Sequence, residues 1–304
     1  MLRRLVEEVG AAGALAAIRA LPGKRGGRAA ILMYHNVCAL PEGLAGFYQH
    51  VRPAQFAEQM EFLEQQGYQV VPLRDFVAKL EGGRPLPART VAITFDDGYA
   101  GLLSAWPELE RRGYPATIFL ATGHLGQPSF RWLEGGWAPQ RSIAPLTWEQ
   151  AAELGRRGAR FGSHTVSHRP LDGMDDAALQ RELVQSRQAI EDRLGQQARL
   201  FSLPFACPEA ADFRRRLCWQ LRQAGYRAAV TTAIGTLCPG ADLMALPRLP
   251  VNALDTPTTF QAKLEGAYDW LRPVQRGYKL WLKPLIERRA SRASTTPPSL
   301  RGTP

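Results

Sequence analysis

The sequence predicts an α/β barrel of parallel strands. Three observations point there. From Arg28 onward, short apolar runs alternate with helix-length amphipathic stretches; there are seven or eight such units; and the residues best suited to chemistry fall directly after the runs. Repeated strand–helix alternation implies parallel strands with right-handed crossovers. Seven or eight units favour a closed barrel over an open sheet, and a barrel carries its chemistry at the C-terminal ends of its strands.

Each predicted strand is a few residues long, rich in apolar residues and bounded by Gly, Pro or polar residues. In order they are Ala29 to Tyr34, Tyr68 to Pro72, Thr90 to Phe95, Ala116 to Ala121, Ala159 to Gly162, Leu200 to Leu203, Ala228 to Thr231 and Leu246 to Val251. Helical patterns lie between them. Pro53 to Gln66 carries Phe56, Met60 and Leu63 and stops at Gly67. Thr147 is a plausible N-cap with Gln150 three residues on, and Gly158 ends that helix. Asp175 to Leu194 is the longest, with Leu179, Leu183, Ile190 and Leu194 on one side and Gly195 as its stop; another runs from about Ala210 to Ala224.

Two regions break the alternation. His124 to Pro145 holds Phe130, Trp132 and Trp137 among several Gly and Pro, which suggests a folded cap over a site. After Asp269, the residues Arg272, Arg276, Lys279, Lys283, Arg288, Arg289 and Arg292 are opposed only by Glu287, with Trp281, Leu282, Leu285 and Ile286 among them. The final Ser-, Thr- and Pro-rich stretch has the composition of disorder. The domain expectation is therefore an N-terminal amphipathic helix and linker over 1–27, a catalytic domain over 28–270 and a basic tail over 271–304.

The 304 residues are 45% hydrophobic, enough for one sizeable core, and carry a net charge of +10. A basic surface favours anionic partners without choosing among nucleic acid, phosphoglycan and membrane. No helix-turn-helix, RNA-recognition or zinc-finger motif is present, so nucleic acid is not expected as a partner. Cys38, Cys207, Cys218 and Cys238 form no C-x-x-C pair and read as reduced thiols, Cys218 as helix packing. Near the N-terminus, Glu7, Glu8, Gly10 and Gly13 interrupt an apolar run that ends at Arg19, too short and too polar to span a bilayer. The expected location is cytoplasmic, peripheral at the inner membrane through the basic tail.

The sharpest chemical feature is Thr94-Phe95-Asp96-Asp97-Gly98 at the end of the third strand. Alone it reads equally well as a polar turn. It gains meaning beside His164-Thr165-Val166-Ser167-His168, which follows another strand. Histidines four apart point the same way if the backbone makes a helical turn, so both imidazoles can meet one ion. One carboxylate and two neutral imidazoles leave positions open for water and a substrate oxygen, and an adjacent unbound carboxylate can take the water's proton. His35, after the first strand, is either a structural residue or the group that protonates a departing amine. His50 reads as a loop residue, and His124 as a non-catalytic neighbour of the cap.

Tyr34-His35, Thr94-Phe95-Asp96-Asp97-Gly98-Tyr99 and Ser163-His164-x-x-x-His168 resemble the polysaccharide deacetylase family, the NodB homology domain or carbohydrate esterase family 4. Tyr114-Pro115-Ala116-Thr117-Ile118-Phe119 and Leu146-Thr147-Trp148 add to the likeness, which covers roughly Arg28 to Val251. The early Tyr-His resembles the circularly permuted branch. The resemblance implies a distorted (β/α) barrel of about seven parallel strands, N-deacetylation of amino sugars, and one divalent ion, usually Zn2+. It implies Asp96 as base, Asp97, His164 and His168 as metal ligands, and His35 as acid. The family's Pro-Tyr-Gly is here Pro204-Phe205-Ala206-Cys207, where the backbone N–H of Phe205 can still serve an oxyanion. Arg248 either reaches the site and keeps Asp96 ionised or lies on the barrel rim. The expected substrate is an N-acylated glycan or a lipid-linked amino sugar. A deformylase of a lipid-linked sugar and a non-catalytic carbohydrate-binding protein are the alternatives.

Overall fold

Seven parallel strands close into a barrel in the computed structural model, which describes residues 13, 28–39, 49–130, 144–205, 211–238 and 240–277. The chain begins with β1 (Ala30–Tyr34), β2 (Asn36–Val37), β3 (His50–Val51), α1 (Pro53–Gln65), β4 (Gln69–Val70) and α2 (Leu73–Glu81). It continues with β5 (Thr90–Phe95), α3 (Leu102–Arg111), β6 (Ala116–Leu120), α4 (Trp148–Arg156), β7 (Arg160–Ser163) and α5 (Asp176–Leu194). It ends with β8 (Leu200–Ser202), α6 (Ala211–Gln223), β9 (Ala228–Ile234), β10 (Leu246–Pro250), α7 (Pro257–Leu264) and α8 (Leu271–Gly277).

Around the barrel the order is β1, β10, β9, β8, β7, β6, β5 and back to β1, every pairing parallel. Closure comes from β1 pairing β5 along its full length, Ala30 with Val91 through Tyr34 with Phe95. Since β1 fills one edge of β5, both β4 and β6 must use the other. β4 pairs there with Thr90 and Val91, and β6 with Ile93 to Phe95. β4 is thus a short eighth strand beneath the start of β6.

β1, β5 and β6 are buried along their full length, as helix-covered parallel strands are, so they appear in sequence as mainly apolar runs. One core cluster packs α1, α3 and α4 on the barrel through Phe56, Met60, Trp106, Leu109 and Leu154; a second packs α5 and α6 through Leu179, Leu183, Leu217 and Leu221. Cys218 packs against this second cluster, as its helical spacing suggests. The helix start and stop signals act as expected. Thr147 and Gln150 form a reciprocal capping box, and Gly195 closes α5 in the left-handed conformation at φ 63°.

Two expectations change. His50 is not a loop residue: it is buried in β3, paired with Asn36 of β2. The barrel also carries α2 and α3, short helices the periodicity did not separate from their surroundings. Residues 1–12 and 14–27 of the expected N-terminal helix, residues 131–143 of the expected cap, Ala206, Cys207, and the basic tail from Tyr278 lie outside the described residues. Among the described residues, no helix is long and apolar enough to cross a membrane.

Candidate metal centre and catalytic site

The C-terminal ends of β1, β5, β7 and β8 bring His35, Asp96, Asp97, His164 and Ser202 to one end of the barrel. Asp97 follows β5 in the left-handed region at φ 70°, and Gly98 continues the turn at φ 83°. The positive φ makes glycine the fitting residue there, and a Cβ would also crowd the end of the Leu120 side chain at 2.8 Å.

Asp97 Oδ1 lies 3.3 Å from His164 Nε2 and 3.2 Å from His168 Nε2. The three ligand atoms all lie within 4.8 Å of one another. Asp97 Oδ1 is buried and accepts no hydrogen bond of good geometry among the described residues. His164 Nδ1 is 2.7 Å from the Ser202 carbonyl, which can only accept; the ring therefore carries its proton on Nδ1 and turns the Nε2 lone pair to the cluster. An unsatisfied carboxylate oxygen facing two imidazole nitrogens is a donor set that fits a divalent cation of zinc type.

The two histidines do not converge by a helical turn. Residues 164–168 form an irregular bend, with Thr165 at φ 69° and His168 at φ 52°. Such dihedrals cost roughly 1–3 kcal/mol each, more for a β-branched residue, and persist only where the surroundings impose them. Here the surroundings are specific. Glu182 of α5 accepts from Val166 N at 2.8 Å, Ser167 N at 2.9 Å and Ser167 Oγ at 2.6 Å. His168 N donates to Thr165 Oγ1 at 2.9 Å, and Thr122 N and Gly123 N donate to the carbonyls of Thr165 and Val166. His124 is buried with Nε2 3.3 Å from the Ser167 carbonyl, a supporting place consistent with a non-catalytic neighbour.

Asp96 sits differently. Arg248, from β10, is fully buried and grips it in a bidentate ion pair, Nη1 to Oδ1 at 2.7 Å and Nη2 to Oδ2 at 2.6 Å. The rim reading of Arg248 is thereby excluded. Its other bonds, Nε to the Thr231 carbonyl, Nη1 to Thr94 Oγ1 and Nη2 to Ser202 Oγ, leave the guanidinium one orientation. Burial alone would raise the Asp96 carboxyl, but the charges of Arg248, His164 and His35 outweigh it and hold the group below its ordinary value. Asp97 follows the same logic: burial is outweighed by His164 and His168, and its carboxyl lies well below the usual range. Burial would lower His164, yet Asp96 and Asp97 raise it.

For His35, burial wins and the imidazole is held below its ordinary value despite Asp97 and Asp96. His50 was missed as part of this neighbourhood. It lies in the pair of strands that follows His35, its Nδ1 3.5 Å from Cys38 Sγ, and burial with the nearby His35 lowers it to about 4. Phe205, after β8, is 48% exposed, with its ring centroid 4.8 Å from that of His168. Its φ is 57°, and Thr232 Oγ1 donates to its carbonyl at 2.8 Å. The described residues flanking 131–143 lie beside the aspartates: Ala100 N donates to Ala144 O, Leu146 N to Gly98 O, and Phe130 packs on Tyr99 at 4.6 Å.

The polysaccharide deacetylase family model matches residues 83–229. The Bacillus subtilis polysaccharide deacetylase homologue YxkH is 27% identical over 237 residues, 78% of this chain and 76% of that protein. The poly-β-1,6-N-acetyl-D-glucosamine N-deacetylase of Escherichia coli K12 is 30% identical over 136 residues, 44% of this chain but 20% of the relative's length. Among solved structures, the Streptococcus pyogenes deacetylase PplD in complex with acetate superposes with a TM-score of 0.66 at 22% identity, over 79% of this chain and 99% of that one.

Proposed function

Because this chain belongs to the polysaccharide deacetylase family, a family of hydrolases, we propose that it removes N-acetyl groups from amino sugars of a bacterial glycan with the help of one divalent ion. The observation that carries the reading is the pairing of an unsatisfied Asp97 Oδ1, facing His164 and His168 Nε2, with a second carboxylate that is ionised and engaged elsewhere. The E. coli relative's action on poly-N-acetylglucosamine favours an N-acetylated hexosamine polymer over other N-acylated sugars.

Asp97, His164 and His168 would hold the ion, and zinc suits two imidazoles and a carboxylate. When bound, such an ion lowers the pKa of a water and polarises the acyl carbonyl. Asp96, kept ionised by Arg248, takes the proton of the attacking water. The Phe205 N–H, on a backbone whose carbonyl is tied to Thr232, donates to the developing oxyanion. His35 delivers a proton to the departing amine. Burial keeps His35 neutral at rest, so the proton it delivers is the one Asp96 took from the water, passed to His35 before the C–N bond breaks.

The deciding experiment couples metal analysis of the purified protein to acetate release from N-acetylglucosamine oligomers. About one equivalent of zinc, with acetate release abolished by a chelator and restored by zinc, is expected. A protein that binds metal and releases no acyl group from any glycan would be a carbohydrate-binding relative and overturn the proposal.

A further inference from the structure

β8 is only three residues long, yet its last residue touches both halves of the site. Ser202 is fully buried. Its carbonyl accepts from His164 Nδ1 at 2.7 Å. Its hydroxyl lies 3.2 Å from Asp96 Oδ2 and 3.0 Å from Arg248 Nη2. A guanidinium can only donate and a carboxylate can only accept, so the hydroxyl proton has one place to go: Ser202 donates to Asp96 and accepts from Arg248. A hydroxyl is the smallest side chain that can do both at once.

We propose that Ser202 is a positioning residue that fixes the base carboxylate relative to the metal-ligand imidazole and decides which carboxylate oxygen acts. The inference rests on the deacetylase reading and adds to it. Asp96 Oδ2 accepts from Arg248 and from Ser202; Oδ1 accepts, among the described side chains, from Arg248 alone. Each carboxylate oxygen has two lone-pair directions in its plane. Oδ2 is therefore filled, and Oδ1 keeps the open lone pair that receives the proton of the attacking water. Without the hydroxyl, Oδ2 has a competing open site and the carboxylate can turn about its Cβ–Cγ bond within the guanidinium fork. The ligand side is independent, because His164 is held by the backbone carbonyl, which a side-chain change leaves in place.

The test is Ser202→Ala in the full chain, compared with wild type, Asp96→Asn and the double variant. Zinc affinity, measured by competition with a chromophoric chelator, is expected within about twofold of wild type in Ser202→Ala. For acetate release from chitooligosaccharide, kcat is expected to fall roughly 10-fold, the weight of one hydrogen bond to a charged group, with KM unchanged. In the Asp96→Asn background the same change is expected to cost less than about twofold, because the hydroxyl acts through the carboxylate. A Ser202→Ala protein with wild-type kcat, or one that loses as much kcat in the Asp96→Asn background as in wild type, overturns the proposal. So does loss of zinc in parallel with kcat, which would make Ser202 merely structural. Full turnover in Asp96→Asn would remove the base assignment on which the inference rests, whereas no acetate release by the wild-type protein would fail the deacetylase reading itself.

Discussion

Asp96 and Asp97 are adjacent in sequence and differ completely in what they meet. Asp97 Oδ1 faces two imidazoles and no good donor, whereas both Asp96 oxygens are gripped by a buried guanidinium. Replacing Asp96 with Asn keeps the volume and removes the proposed base. Turnover should fall roughly 10²- to 10⁴-fold with zinc content unchanged; an Asn variant that turns over normally would mean the base lies elsewhere. These residues were legible because two carboxylates and a His-x-x-x-His each follow a strand. The partners that orient them were not. Leu246-Pro247-Arg248 reads as readily as a rim sequence, and neither Ser202 nor Glu182 belongs to a pattern with chemical meaning. His50 was misread because a single histidine in a two-residue strand carries no periodicity. Its burial has a consequence in the metal-free protein. An imidazole lowered to about 4 stays neutral when folded and protonates near 6.5 when unfolded. The unfolded state then binds more protons between those values, so stability is unaffected above about pH 6.5 and falls as pH drops towards 4, by on the order of 3 kcal/mol. His35 and Asp97 act on the group in opposite senses, and Cys38 and Tyr99 flank it. Denaturant unfolding of His50→Gln should show a shallower acid limb over that window; an unchanged limb would assign the slope to other groups.

Elements differ in how much of themselves they write into sequence. The eight predicted runs became strands, most plainly β1, β5 and β6, whose burial along their full length fills them mostly with apolar residues. α3 hid for a physical reason: Pro107 sits inside it, where a proline removes one hydrogen bond and crowds the preceding turn. The buried stripe Leu102, Ala105, Trp106 and Leu109 holds the helix on the barrel regardless. The bend between His164 and His168 would align the two rings as a helical turn, the cheapest way to align residues four apart. Instead the chain adopts left-handed dihedrals at Thr165 and His168, and α5 holds it there through the three bonds to Glu182. Removing that carboxylate should release the strain by letting the bend relax away from the cluster. Glu182→Ala is expected to weaken zinc affinity about 10- to 100-fold, the usual effect of losing a group that orients ligands, with kcat near wild type once zinc is saturating. Chelator competition and zinc-titrated activity measure the two effects separately, and unaltered affinity would mean that the remaining bonds to Thr122, Gly123 and Thr165 suffice.

At the scale of the molecule, counting strand–helix units anticipated a barrel, but closure depends on β1 lying between β5 and β10, a pairing that no local pattern encodes. Charge is the other global property. The chain carries +10, and a dense basic stretch follows Asp269. Part of that stretch belongs to the fold. Arg272 donates to the carbonyls of Ile234 and Thr236, and Gln275 bonds to Thr232 and Ile234, so α8 is fastened to the end of β9. From Tyr278 onward the basic residues Lys279, Lys283, Arg288, Arg289, Arg292 and Arg301 are opposed only by Glu287, with Trp281, Leu282, Leu285 and Ile286 between them. A basic residue near an anionic bilayer contributes about 1 kcal/mol, and interleaved apolar side chains add insertion. The contact with an anionic membrane surface expected from the sequence is therefore tested by ending the chain after Gly277, which leaves α8 and its bonds intact, not after Asp269, which would expose the end of β9. At low salt the full chain should float with phosphatidylglycerol vesicles and not with phosphatidylcholine alone, and about 0.5 M salt should release much of it. The shortened chain should bind at least about 100-fold more weakly while deacetylating soluble chitooligosaccharide at the full rate. Equal flotation of the two chains, or equal binding to neutral and anionic vesicles, would leave the charge of this segment without a membrane role.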